Sequence, residues 1–340
     1  MDRMSRQAEA PTDRRPETAG APGGEEPSTP SIRGYILVGP TAAGKSAVAQ
    51  WIAERNQWAV LSADSMLVYR GMDIGTAKPT AGERRKVRYW GIDVVAPDCR
   101  FSAADFREEA RRCVASLAPG EPLIVVGGTG LYLRVLLEGL ADGAGPAPGL
   151  REKWRQVLEQ SGIEALQEAL RERSMSWYEA LADPRNPRRL IRALERLEAG
   201  EQRPPETWKE GAAEPVVAGL TLPREALHRK IEARIHAMYH HGLIEEAAGL
   251  RQTCGELSDT ALQAIGYREA LSCLRGELSQ EEAVRQTLVR TRHLAKRQMT
   301  WFRGQMSVAW VECEYDTSVE TAGRRVMETW ERVGAAPLRV

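Results

Sequence analysis

Short apolar runs recur through the first half of the chain, at residues 35–38, 59–62, 92–95 and 123–126. Each is short and mostly apolar, so each predicts a strand. Between them, residues 45–56 and 103–117 carry apolar side chains three and four apart and predict helices. Strands alternating with helices imply a parallel sheet covered on both faces. A helix over 131–137 follows, and 141–149, built of Gly, Pro, Ala and Asp, reads as a linker. Beyond it the period is helical, over 150–160, 163–171 and 187–198, with Asp183-Pro184-Arg185-Asn186-Pro187 as punctuation and 200–205 as a stop. Residues 216–222 read as the sheet resuming. From Arg224 the chain is mostly helical, with Leu227, Ile231, Ile235 and Met238 as a packing stripe. A short strand at 308–311 and a last helix at 321–333 close it.

The pattern predicts one α/β core interrupted by an all-helical insertion. The core takes residues 32–139 and 208–315, the insertion 140–207, and a C-terminal helix and tail 316–340. Residues 1–31 are rich in Pro, Gly, Glu and Arg and read as a disordered leader; they contain no apolar segment of a secretory signal. No apolar run approaches the ~20 residues of a membrane span. Five cysteines without a C-x-x-C pair fit isolated reduced thiols in the cytoplasm, with no zinc-ligand spacing. The charges balance, 47 basic against 47 acidic, which excludes a uniformly cationic surface but not a local patch. Arg285, Arg290, Arg292, Lys296, Arg297 and Arg303 follow one another with no Asp or Glu between, and with His293, Trp301 and Phe302 among them. This stretch is either a solvated helix face or a groove for nucleic-acid phosphates.

The chemistry begins at Gly39-Pro40-Thr41-Ala42-Ala43-Gly44-Lys45-Ser46, a complete G-x-x-x-x-G-K-[ST] loop between a predicted strand and a predicted helix. Such a loop cradles phosphates with backbone N–H groups, reaches the terminal phosphates with Lys45 and offers Ser46 to Mg²⁺. Asp64-Ser65 stands at the carboxyl end of the next strand, where ligands of open α/β sheets bind. Asp64 is a metal ligand, a general base or a turn cap. No strand ends in the acid that holds Mg²⁺ and water in phosphate-transferring P-loop enzymes; residues 123–126 run instead into Gly127-Gly128-Thr129-Gly130.

These blocks resemble those of the tRNA dimethylallyltransferases. So do residues 64–79 (Asp-Ser-Met-Leu-Val-Tyr-Arg-Gly-Met-Asp-Ile-Gly-Thr-Ala-Lys-Pro), Phe101 to Phe106, Gly127 to Tyr132, Arg192-Ala193-Leu194-Glu195, Gly266-Tyr267-Arg268-Glu269 and Lys296 to Arg303, in the family's order. The resemblance implies a P-loop NTPase-like parallel sheet flanked by helices. It implies transfer of a dimethylallyl group from its diphosphate to an adenine amine 3′ of the anticodon, by a monomer with Mg²⁺ at Ser46. On this resemblance Asp64 is the base, Thr129 and Arg234 complete the catalytic set, and residues Gly39 to Ser46 hold the diphosphate. The tRNA anticodon stem-loop falls to Asp64, Ser65, Met66 and Leu67, to Arg151, and to Arg188, Arg189, Leu190, Ile191 and Arg192. It also falls to Gln263, Ala264, Ile265, Gly266, Tyr267 and Arg268, and to Lys296, Arg297, Gln298, Met299, Thr300, Trp301, Phe302 and Arg303. Leu67 stands where the family often has Gln, and the stretch before Ile92-Asp93 lacks its Pro-His-His. No zinc finger follows the last block, as in bacterial forms. The readings that compete are a P-loop small-molecule kinase, a prenyltransferase for free adenine nucleotides and a non-catalytic RNA-binding module.

Overall fold

Strand β1 (Arg33–Val38) runs through the middle of the sheet, and its apolar end leaves it no solvent face: Ile36, Leu37 and Val38 are all buried. The computed structural model describes residues 32–139, 149–201 and 215–340; the leader, the linker residues 140–148 and residues 202–214 lie outside the described residues. Beside β1 lie β2 (Ala59–Ser62), β3 (Tyr89–Trp90), β4 (Leu123–Val126), β5 (Val217–Thr221) and β6 (Val308–Glu312). All are parallel, in the order β3-β2-β4-β1-β5-β6. A two-residue strand, β7 (Ala336–Pro337), pairs antiparallel with the start of β1.

The helices α1 (Lys45–Asn56), α2 (Ala81–Lys86), α3 (Ala103–Ala115) and α4 (Gly130–Glu138) connect the first strands. The insertion is α5 (Leu150–Arg173), α6 (Met175–Glu179) and α7 (Pro187–Glu198). After β5 come α8 (Arg224–His240), α9 (Leu243–Cys254), α10 (Tyr267–Leu274) and α11 (Gln280–Gln305), and α12 (Val319–Val333) precedes β7. None of the described helices is long and apolar enough to cross a membrane. All five cysteines are free thiols.

Several expected elements differ. The third strand lies at Tyr89–Trp90, not at 92–95. Gly91, with φ 73°, turns the chain away, and a Cβ there would lie 2.6 Å from the Ser62 carbonyl oxygen. Residues 93–95 pair instead with the loop after β2, through Asp93 N–H to Leu67 O at 3.1 Å and Val95 N–H to Val68 O at 3.0 Å. The two helices expected over 150–171 are one run kinked at Gly162, where φ is 78°. The Asp183–Pro187 punctuation is the entry to α7: the Asn186 side chain accepts the Arg188 N–H and Pro187 takes the first helical position.

The insertion has its own apolar cluster, with Trp154, Leu166, Leu170, Trp177, Leu190 and Leu194 buried together. The C-terminal residues are no appendage. Val326 and Trp330 of α12 lie in the main core, and Trp330 Nε1 donates to the Ile36 carbonyl of β1 at 3.0 Å.

Candidate active site

The loop after β1 is built for phosphate. Gly39 has φ 143°, and a Cβ there would sit 2.4 Å from the Leu220 carbonyl oxygen of β5. Ala42 (φ 64°) and Gly44 (φ 91°) take left-handed backbone on either side of Ala43, and such a loop turns its N–H groups toward an anion at the N-terminus of α1. Lys45 is 9% exposed and its Nζ donates to the Pro40 carbonyl at 2.7 Å. Burial pushes its ammonium from 10.5 down to about 8; the Asp64 carboxylate opposes that shift and the Arg234 guanidinium adds to it. Ser46, next on the helix, is exposed and lines the same cleft.

Arg234 reaches the loop from α8. Its Nη1 lies 3.4 Å from Thr41 Oγ1 and its Nη2 donates to the Thr76 carbonyl at 3.1 Å. Burial lowers its affinity for a proton and Asp64 raises it. Asp64, two residues past β2, accepts the Met66 N–H on Oδ1 at 2.9 Å, so one carboxylate oxygen is fixed by the local turn. Thr129 Oγ1 accepts the Ser65 N–H at 3.0 Å and donates to Ser65 Oγ at 3.2 Å. The ends of β2 and β4 are thereby tied side by side.

The glycines after β4 are explained by crowding. A Cβ at Gly127 would lie 2.1 Å from the Ala63 carbonyl oxygen, and one at Gly130 within 2.5 Å of the Trp301 ring. With Gly127 at this strand end, β4 carries no carboxylate toward the phosphate loop.

Lys45, Ser46, Asp64, Thr129 and Arg234 line one cleft of about 950 Å³ at the carboxyl ends of the strands. Three of its features were not legible in the sequence. Gln298 of α11, expected on the RNA side, bridges the site: Oε1 accepts the Thr41 N–H at 2.8 Å and Nε2 donates to the Gly128 carbonyl at 3.0 Å. Ser62, 2% exposed, lines the cleft with a buried hydroxyl that has no hydrogen-bond partner. Glu246 of α9 accepts the N–H groups of Asp73, Ile74 and Gly75 and the Tyr267 hydroxyl. Burial, and then the Glu246 charge, push the Tyr267 phenol far up, so it stays a donor. Gln298 and Glu246 act through partners more than twenty residues away, and the burial of the Ser62 hydroxyl follows from the assembled cleft, so none of the three leaves a local pattern.

The expected RNA-binding set divides. Leu67, Leu190, Ile191, Ala264, Gly266, Tyr267 and Phe302 are buried, though Leu67 and Ala264 still line the cleft. Trp301 is half-buried, its ring against Gly130. Arg151, Arg188, Arg189, Arg268, Lys296, Arg297, Thr300 and Arg303 are exposed, while Ser65, Met66, Arg192, Gln263, Ile265 and Met299 are half-exposed. Asp64, Ser65, Met66, Gln263, Ile265, Arg268, Arg297 and Gln298 of this set also line the cleft.

The cationic run on α11 is narrower than its sequence suggests. Arg285 pairs with Glu282, Arg290 with the buried Glu269, and Arg292 with Glu232. Lys296, Arg297 and Arg303 have no ion-pair partner among the described residues, so the unpaired charge lies in about the last three turns.

On the insertion, Glu195 is fully buried and receives Arg151 through Nε at 2.6 Å and Nη2 at 3.0 Å, and Arg192 at 3.4 Å. One carboxylate thus orients two half-exposed guanidinium groups. The insertion meets the core through Arg155 to Asp259 at 2.9 Å, an aspartate that Arg100 also holds, and through Arg188 to Gln263 at 3.1 Å.

A parallel sheet, a phosphate loop at its central strand and a strand-end carboxylate beside it define a P-loop α/β protein. Residues 67–305 match the family model described as IPP transferase. The chain is 43% identical over 289 residues to a tRNA dimethylallyltransferase of Geobacter metallireducens, covering 82% of this chain and 91% of that one. It is 39% identical over 309 residues to one of Pelotomaculum thermopropionicum, covering 88% and 96%. Among solved structures it is similar to a tRNA isopentenylpyrophosphate transferase of Bacillus halodurans, with TM-score 0.63, 34% identity and coverage of 88% and 95%. The chain belongs to the IPP transferase family.

Proposed function

We propose that the chain transfers a dimethylallyl group from dimethylallyl diphosphate to the N6 amine of the adenine immediately 3′ of the anticodon in tRNA, releasing diphosphate. The observation that carries this reading is a phosphate loop whose Lys45 and Arg234 share a cleft with Asp64 while β4 ends at Val126 and runs into Gly127. The site is equipped to bind a diphosphate as a leaving group, and the end of β4 carries no acid of the kind used to cleave a triphosphate. The relatives named tRNA dimethylallyltransferase, at about two-fifths identity over most of both chains, supply the acceptor.

The adenine enters unstacked from the anticodon loop. Its N6 lone pair forms a bond to C1 of the donor as the bond from C1 to the diphosphate oxygen breaks. The electron pair leaves with diphosphate, whose growing charge is met by the loop N–H groups, Lys45 and Arg234. The N6 proton passes to the Asp64 carboxylate. Thr129, tied to Ser65, holds the ends of β2 and β4 together beside Asp64.

Mg²⁺ fits the donor set. Ser46 presents a hydroxyl in the cleft, and among the described residues no cluster of His, Cys, Asp or Glu makes an all-protein cage. That is the arrangement Mg²⁺ prefers when phosphate oxygens complete its shell. Bound there, it would add positive charge against the leaving diphosphate.

The test is incubation with labelled dimethylallyl diphosphate and unmodified tRNA, followed by nucleoside analysis. Label in N6-isopentenyladenosine is the expected result. Label staying in the diphosphate while the protein turns over ATP without tRNA would replace this reading with a kinase.

A further inference from the structure

The turn at Asp73–Thr76 forms one wall of the cleft, with Gly75 and Thr76 among its lining. The Thr76 carbonyl is where Arg234 rests, at 3.1 Å. That carbonyl lies one residue beyond three successive N–H groups that all point at the same carboxylate. Glu246 Oε2 accepts from Asp73 at 3.1 Å and from Ile74 at 2.9 Å, and Oε1 lies 3.4 Å from the Gly75 nitrogen. The Tyr267 hydroxyl adds a fourth bond, to Oε1 at 2.5 Å. Successive backbone N–H groups around an anion form a nest, and bonds to a charged acceptor are the stronger kind.

Packing supports the same geometry. A Cβ on Gly75 would fall 2.4 Å from Tyr267 Cε2, so the turn lies flat on that ring. The far end of the turn is pinned by the buried Lys78, whose Nζ reaches Asp73 at 2.6 Å, Asp93 at 2.6 Å and the Tyr69 carbonyl at 2.7 Å. The turn is therefore fixed at both ends, and its free carbonyl faces the guanidinium. Neither Glu246 nor Tyr267 is among the residues lining the cleft.

We propose that Glu246 is a positioning residue for the donor: by capturing the Asp73–Gly75 N–H groups it sets the Thr76 carbonyl, and through it the place of Arg234 against the diphosphate. This rests on the diphosphate-transfer reading above. Glu246→Gln puts an NH₂ among three N–H donors and dismantles the nest. A guanidinium displaced by about an ångström from a leaving group costs on the order of tenfold to a hundredfold in rate.

The experiment is a double-mutant cycle on purified full-length protein, reading donor kcat/KM and, separately, tRNA Kd. Glu246→Gln is expected to lower donor kcat/KM by about ten- to a hundredfold and leave tRNA Kd within about twofold. In the Arg234→Lys background the same change should cost less than about twofold, because the residue it acts through is already altered. General damage to the fold would instead add in full in both backgrounds and weaken tRNA binding as well. Tyr267→Phe removes one bond of four and is the milder variant if Glu246→Gln unfolds; it should show a smaller loss with the same dependence on Arg234. Additive losses, or donor kinetics like those of the wild type, overturn the proposal. A wild-type enzyme that transfers nothing to tRNA overturns the transfer reading itself, a separate outcome visible before any variant is made.

Discussion

Lys45 is a cation in a place that disfavours one until an anion arrives. Its ammonium is held near 8 by burial first, with the Arg234 guanidinium adding to the effect and Asp64 resisting it. In the unfolded chain the same group titrates near 10.5, so between about 8 and 10.5 the unfolded state binds more protons than the folded one. Stability of the free protein therefore rises with pH through that window. A bound diphosphate reverses the preference by favouring the charged form. Donor affinity should then fall as pH climbs past about 8, and binding at pH 8.5 should take up a proton. Calorimetry in two buffers of different ionisation enthalpy reads that proton directly, and Lys45→Met should abolish it. Proton uptake that survives the substitution would place the titrating group elsewhere.

Asp64 belongs to the same scale. Asp64→Asn keeps the oxygen that accepts the Met66 N–H and removes the basicity. If the carboxylate takes the N6 proton, single-turnover rate should drop by roughly 10²–10⁴ with donor Kd nearly unchanged. A metal ligand would behave differently: donor affinity would collapse and be partly restored by high Mg²⁺. A donor titration across a Mg²⁺ series separates the two roles. The motif residues were readable because loop and strand-end chemistry is local. Gln298 and Glu246 were not, since their hydrogen bonds span distances in sequence that no motif encodes.

Among the elements, α11 joins two tasks. Gln298 faces inward to the phosphate loop, while Lys296 and Arg297 are exposed beside it. Ion pairing to Glu282, Glu269 and Glu232 neutralises the earlier arginines, so RNA affinity should depend on about the last three turns. Lys296→Ala and Arg297→Ala should each flatten the log–log salt dependence of tRNA binding by about 0.7 if each meets a phosphate of a single strand. Donor affinity should stay as it is for Lys296→Ala, whose side chain is outside the cleft lining. Filter binding from low to high salt makes the comparison, and two unchanged slopes would reduce this face to solvation. The elements most legible in sequence were those with a clear period or cap. β1, β2, β4 and α7 lie close to their expected bounds. Residues 92–95 are apolar enough for a strand, yet Gly91 and the Asp93 contacts to Lys78 and Arg84 commit them to another loop. β7 consists of two residues, too few to carry a period.

At the scale of the whole molecule, the donor site and the insertion depend on separate cores. The sheet buries Ile36, Leu61, Leu123 and Trp330 in one cluster, while Trp154, Leu166, Trp177 and Leu194 bury one another in the second. Among the described residues, the polar contacts named above, Arg155 to Asp259 and Arg188 to Gln263, join the lobe to the core. Exposed or half-exposed polar contacts of this kind contribute little to stability, about 0–1 kcal/mol for an ion pair. The core should thus fold without the lobe. Replacing residues 140–207 by a short Gly-Ser linker should leave a protein that still binds dimethylallyl diphosphate. A hundredfold excess of donor over Kd adds about 2.7 kcal/mol to such a fold, which a thermal shift detects. The truncated protein should nevertheless fail to modify tRNA, because Arg151 and Arg192, held outward by Glu195, would be gone along with the second wall for the RNA stem. Donor stabilisation together with full-rate modification of tRNA would show that the core alone recognises its substrate. Loss of both donor binding and folding would show that the two clusters form one cooperative unit.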